Sequence, residues 1–142
     1  MKKKLSFLIA LSLASGAVMA QGLKPKDVPV VVKTTFTTKY PAAAKVSWEK
    51  EKGNYEANWG GKSGEDNSAV FTPAGVFVEI VNAIKISDLP KTITPYVTAH
   101  YKSAKIKEAG KVTDATGKTF YEAEIKSGDL IFDKNGNFVK KD

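Results

Sequence analysis

The stretch VPVVVKTTFTTKYPAAAKV at 28–46 is written again, with changed letters, as LPKTITPYVTAHYKSAKI at 89–106. Pro29 falls on Pro90, Val32 on Ile93, Phe36 on Val97, Tyr40 on Tyr101 and Ala43 on Ala104, at a constant offset of 61 residues. One residue is lost before Lys45-Val46 and its counterpart Lys105-Ile106, and the register drifts further across a longer hairpin in the second half. It returns at the end, where VFTPAGVFV (70–78) overlies IFDKNGNFV (131–139). Matching order with matching signals reads as an internal duplication. Whatever fold the chain adopts must then be buildable from one half and present twice.

Each half opens on a helical pattern. Val28, Val32, Phe36 and Tyr40 recur along one face, as do Leu89, Ile93, Val97 and Tyr101. Asp27 and Asp88 stand before Val-Pro and Leu-Pro, so each is placed as an N-cap ahead of a first-turn proline. Pro41 stops the first helix, and Pro95 is set to shorten or kink the second. Threonine and valine are poor helix formers, so both helices need a sheet to lie on. Four strands follow in each half. In the first they are AKVSWEKEKG, NYEANW, SAVFT and VFVEIV; in the second, KIKEAGKV, KTFYEAEIK, DLIF and NFVK. The glycines between them supply the positive φ of tight hairpins.

The triplet Tyr-Glu-Ala occurs in both halves, at 55–57 and 121–123. Side chains alternate across a strand, so Tyr55, Ala57 and Trp59 share one face with Tyr121, Ala123 and Ile125 as their counterparts. Those are expected beneath the helices. Glu56 and Asn58, with Glu122 and Glu124, are expected on the wet face of the sheet.

The first twenty residues read as an export leader. Lys2, Lys3 and Lys4 precede the apolar run LSFLIALSL, and AVMA at 17–20 places Val18 and Ala20 at the small-residue positions of a cleavage site. Removal after Ala20 leaves 19 lysines against 15 acidic residues, a net charge of +4 rather than +7. Arginine, the side chain that forks onto phosphates and guanine edges, is absent, and the lysines are interleaved with acids; nucleic acid is therefore not an expected partner. There is no cysteine, so stability rests on the core alone.

No catalytic or metal constellation is written in the chain. GGKSG at 60–64 lacks the glycine that a phosphate-binding loop needs five residues before Gly61, where Glu56 stands, and no helix is expected after it. DKNGN at 133–137 would need a glycine at Phe138 to be a calcium loop, and reads instead as an Asn-Gly turn. His100 is the only histidine, so no second imidazole can share a metal with it. No cofactor is expected. Trp48 and Trp59 have no aromatic counterpart in the second half, which makes them the candidate partner-binding residues, with a place in the core as the alternative.

The order of proline-started helix, Tyr-Pro, Lys-Val-x-Trp strand, Tyr-Glu-Ala strand and Phe-x-x-x-Gly hairpin resembles the PepSY-like, beta-lactamase-inhibitor-like proteins secreted by Bacteroidetes-type bacteria. The resemblance covers nearly all of the chain after the leader. It implies an α+β fold of two tandem units, each a helix plus a four-stranded antiparallel sheet, with the helices packed on one face. The layout expected is a signal peptide (1–20), an N-terminal linker (21–27), a first repeat (28–81), a connector (82–88) and a second repeat (89–142). The resemblance also implies a non-enzymatic periplasmic or secreted protein, with no membrane span after leader removal. Such a protein would bind another protein through one sheet face, as an inhibitor of a peptidase or other enzyme. The beta-lactamase inhibitory proteins differ in carrying cysteines and longer halves. Competing readings are an envelope protein that gathers small molecules or anionic glycans, and an enzyme of unrecognised type.

Overall fold

The computed structural model describes residues 21–102 and 104–142; the leader expected at 1–20 lies outside the described residues. Strands β1 (Gln21–Leu23), β2 (Ser47–Glu51), β3 (Asn54–Trp59), β4 (Asn67–Phe71) and β5 (Phe77–Ile84) precede β6 (Glu108–Asp114), β7 (Thr119–Ile125), β8 (Gly128–Asp133) and β9 (Phe138–Lys141). Helix α1 (Val30–Lys39) lies between β1 and β2, and α2 (Ile93–His100) between β5 and β6. The fold is therefore α+β. The chain divides into two compact units between Ile80 and Val81, inside β5. In the first unit β1 to β4 pair in sequence order, and in the second β6 to β9 do the same, all antiparallel.

Two segments depart from the sequence expectation. Gln21–Leu23, within the stretch read as a linker, is a strand that pairs with Lys50–Trp48. Residues 82–84, within the expected connector, are the end of β5.

The helices begin later than Asp27 and Asp88 suggest. Both aspartates close short 3-10 turns, Pro25–Asp27 and Ile86–Asp88, and neither α-helix has a side-chain cap. The reason is the proline that follows each Val or Leu: it drives Val28 (ψ 129°) and Leu89 (ψ 147°) into extended backbone, and a helix cannot include them. Pro95 then falls in the first turn of α2, where no intrahelical partner is lost. Thr35, Thr37 and Thr98 each donate their hydroxyl to the carbonyl four residues back, a habit that weakens helices. Packing has to supply what propensity does not.

It does so on one face of each sheet. In the first unit Val28, Val32 and Phe36 meet Trp48, Tyr55, Ala57, Ala69 and Phe71. Phe36 is the hub: its ring lies 5.3 Å from Trp48, 5.1 Å from Trp59 and 6.2 Å from Phe71, each edge-on. In the second unit Leu89, Ile93 and Val97 cover Ala109, Ala123, Ile125, Leu130 and Phe132. Val97 takes the place of Phe36 there, and the aromatic contact comes from Tyr96, which stacks on Phe138 at 5.0 Å and meets Phe132 edge-on.

The last hairpin of each unit touches its own helix start. Gly75 (φ +79°) lies where a Cβ would come within 2.8 Å of Val31, and at Gly136 (φ +81°) a Cβ would collide with Thr92 Oγ1. The Thr92 hydroxyl donates to the Gly136 carbonyl at 3.0 Å, fixing that approach. Gly117 has a similar φ of +85° but open space around it. We therefore expect Gly136→Ala to lower the unfolding free energy by about 2 kcal/mol or more, and Gly117→Ala by only about 1 kcal/mol, in urea denaturation.

Candidate partner-binding face

Alternation fixes what lies on the side of each sheet that the helices do not cover. In the first unit the register Glu49↔Glu56, Glu56↔Val70, Ser47↔Asn58 and Asn58↔Ser68 puts all of these on that far face, together with Glu51. In the second, Glu108↔Glu124, Gly110↔Glu122, Glu122↔Ile131 and Val112↔Phe120 define the same side. Asp129, paired with Glu124, and Asp133, paired with Phe120, belong to it too.

The charges on β2–β4 and β6–β8 are sorted by face. Lys50 and Lys111, the lysines within those strands, both lie on the helix side, across from Tyr55 and Tyr121. Lys50 Nζ sits over the Tyr55 ring at 5.2 Å. The far face of these strands carries carboxylates and no lysine. Lys140 joins it only on β9, where it pairs with Asp142 at 2.9 Å.

The expectation of a wet face is overturned. Glu49 is 1 % exposed, Glu56 2 %, Asn58 2 %, Glu122 0 % and Glu124 6 %, as withdrawn from water as the core beneath the helices. Val70, Val112 and Ile131 are equally buried and belong to neither helix-side cluster. Alternation tells which face a side chain takes; it does not tell whether that face is wet. Ser68 donates its hydroxyl to Glu56 Oε1, a short contact across β3 and β4. Among the described residues, Asn58 Nδ2 meets no acceptor, although its amide is buried.

The two sequence-predicted residues lie on the other face. Trp48, 5 % exposed, fills the core against Phe36, so packing accounts for it. Trp59 is half-buried between Phe36 and Tyr40, whose ring is 4.9 Å away, and keeps an edge in solvent. Burial pushes the Tyr40 phenol from 10.0 up to about 12.

The remaining motifs are structural. GGKSG forms the connection from β3 into the strand β4, with Gly60, Gly61 and Gly64 at positive φ and Asn67 Nδ2 donating to the Trp59 carbonyl. In DKNGN, Asp133 accepts from the backbone N–H groups of Asn137 and Asn135 and from the Asn137 side chain. Those bonds, that of the Asn137 backbone first, hold its carboxyl below the usual value. His100 is exposed and stacks on Tyr96 at 3.9 Å. A cleft of 520 Å³ is lined by Tyr101, Lys102, Ala104, Ile125, Lys126 and Ser127, and among these described residues there is no acid or imidazole to pair with the serine. Among the described residues no cluster of His, Asp or Glu could hold a metal, and no helix is long and apolar enough to cross a membrane.

This is an α+β protein whose helices cover one side of antiparallel strands and leave an acidic side away from them. Residues 61–140 match the family described as "Putative beta-lactamase-inhibitor-like, PepSY-like", and the chain belongs to that family. Solved structures from Bacteroides share its fold. One from Bacteroides eggerthii, among "putative periplasmic proteins", aligns with a TM-score of 0.66 at 18% identity, over 81% of this chain and 88% of that one. A DUF2874 family protein of Bacteroides uniformis gives 0.65 at 16% identity, over 80% and 88%. A BLIP-like protein of Bacteroides fragilis gives 0.59 at 16%, over 80% and 84%. Among curated proteins none matches the chain.

Two optical measurements check the placement of the aromatic residues. The Trp59→Phe variant, with Trp48 alone, should emit at short wavelength and resist iodide, whereas Trp48→Phe should leave partly quenchable emission. Of the five tyrosines, Tyr40 should ionise last in a titration followed at 295 nm, and Tyr40→Phe should remove that late component. Its neutral form is favoured by folding, so its contribution to stability is complete below pH 10 and is lost as pH rises toward 12.

Proposed function

We propose that this is a non-enzymatic binding protein of the periplasm or the extracellular space. In this reading it presents the far side of its strands, where Ser47 and Glu108 are exposed, to another protein and acts as an inhibitor of a peptidase or other enzyme. The observation that carries the reading is the separation of the two faces. The helix side is occupied by its own core, while the far side concentrates carboxylates, amides and hydroxyls around apolar Val70. The family and the BLIP-like neighbour agree with a binding role, and the leader-like sequence at 1–20 together with the periplasmic description of the Bacteroides eggerthii protein supports the location.

The tandem origin belongs to the same reading. The order of helix and four strands, α1 with β2–β5 and α2 with β6–β9, agrees with the 61-residue offset and supports one ancestral unit copied once. Trp59 remains the candidate for a secondary contact through its exposed edge. Lysines gathering anionic glycans is the weaker alternative, because the lysines avoid the far face of β2–β4 and β6–β8.

The test is capture from a periplasmic extract by immobilised protein. A defined protein should be retained, lost with Ser47→Lys, a change at an exposed far-side position of β2, and kept with Val30→Lys, a change at an α1 position that is 74% exposed. Matching near-UV circular dichroism should accompany both variants. Equal capture by both would remove the far face from the reading, and retention of polymeric glycan that collapses in salt would favour the alternative.

A further inference from the structure

We infer that the second unit binds a small aromatic carboxylate in the cleft beside the end of α2, with the ring against Tyr101 and the acid group among three lysines. The cleft lies on the helix side of the strands, so the inference stands or falls separately from the binding role proposed above.

Shape is the first observation. In the first unit Trp59 stands two residues after Tyr55-Glu56-Ala57, and its indole packs 4.9 Å from the Tyr40 ring. In the second unit Ile125 holds the same place after Tyr121-Glu122-Ala123, and Tyr101 is the counterpart of Tyr40. Isoleucine does not reach as far as indole. A cleft of 520 Å³ lies there, a size that suits a small molecule, with Ile125 and Ala104 at its floor and Tyr101 as a wall. Tyr101 is half-buried, and among the described residues no other ring packs on it. An apolar wall of ring width is thus left open to solvent.

Charge is the second and independent observation. Lys102 and Lys126 line the cleft and are exposed. Lys141 reaches the same place from β9: its Nζ donates to Ser127 Oγ at 3.1 Å and lies 5.6 Å from the centre of the Tyr101 ring. Among the described residues none of the three is in an ion pair, whereas the adjacent Lys140 is paired with Asp142. Glu122, Glu124 and Asp129 of the neighbouring strands belong to the other side. The architecture does not require these cations, since the matching places in the first half hold Pro41, Gly60 and Ile80. Three like charges around one opening repel one another, and a carboxylate among them reverses the sign of that interaction. A neutral ring would leave the repulsion in place. A bare inorganic anion would leave the Tyr101 wall wet. A ring that carries an acid meets both.

The test follows the backbone amides of the isotope-labelled protein by NMR during titration with naphthoate, naphthamide, acetate and inorganic phosphate. Naphthoate should bind saturably and shift the amides of Tyr101, Lys102, Ala104 and Ile125–Ser127. Naphthamide should bind roughly tenfold more weakly, the effect of losing a charge-assisted contact, and acetate and phosphate should not saturate over the same range. The Lys102→Gln/Lys126→Gln variant should weaken naphthoate binding roughly tenfold and flatten its salt dependence, while Lys134→Gln, at an exposed turn, should leave it unchanged. Ile125→Trp, which writes the residue of the first half into the second, should fill the cleft and abolish binding. The amide spectrum shows whether each variant is folded, and the lysine variants decide the matter without touching the core.

Equal binding of naphthoate and naphthamide would overturn the proposal, as would naphthoate binding that survives both the lysine double variant and Ile125→Trp in folded protein. Tighter binding of phosphate than of naphthoate would make the lysines a general anion patch and overturn it too. Self-association that Ile125→Trp abolishes, seen by sedimentation, would make an aromatic side chain of a second copy the occupant, with the same consequence.

Discussion

The structure depends on docking two weak helices against strands that alternate with a period of two. Neither α1 nor α2 is a sequence that would hold helical form alone: each is short, rich in Thr and Val, and without a side-chain cap. Phe36 is held by edge contacts to Trp48, Trp59 and Phe71, and those aromatics can converge only because they fall at alternate positions on three adjacent strands. Shift β2 or β3 by one residue and its aromatic leaves the helix while a carboxylate enters. Helix formation and strand register are therefore one constraint. It also dictates the other face, since every position taken by an aromatic under α1 commits its neighbour to the far side.

What the far side does with those positions is a separate choice, and charge makes it visible. A net charge of +7 over the chain invites an anionic partner, yet charge is recognised locally, within a Debye length of about 8–10 Å. On β2–β4 of the first unit the lysine is on the helix side and the acids are on the other. Packing of α1 requires neither. A sheet face built only for solubility would mix both signs, as the loops and turns of this chain do. Carboxylates at 1–2% exposure are costly unless hydrogen-bonded or paired, and Glu56 takes the Ser68 hydroxyl in this way.

Helix-facing positions were legible in the sequence because periodicity encodes them directly: Val32, Phe36, Ile93 and Val97 all reach the core. Turns were legible because glycine at positive φ leaves a mark in the letters, as at Gly75 and Gly136. Three things were not. Gln21–Leu23 pairs through its backbone, and QGL carries no alternation to announce a strand. Asp27 and Asp88 look like caps, but the proline two residues on makes the intervening residue extended and separates each aspartate from its helix. The burial of Glu49, Glu56 and Glu122 is non-local and has no periodic signature, since period two distinguishes faces but not their solvation. Trp48 drew attention as an unmatched aromatic; its lack of a partner in the second half reflects how differently the two cores are filled, with Phe36 in one and Val97 in the other.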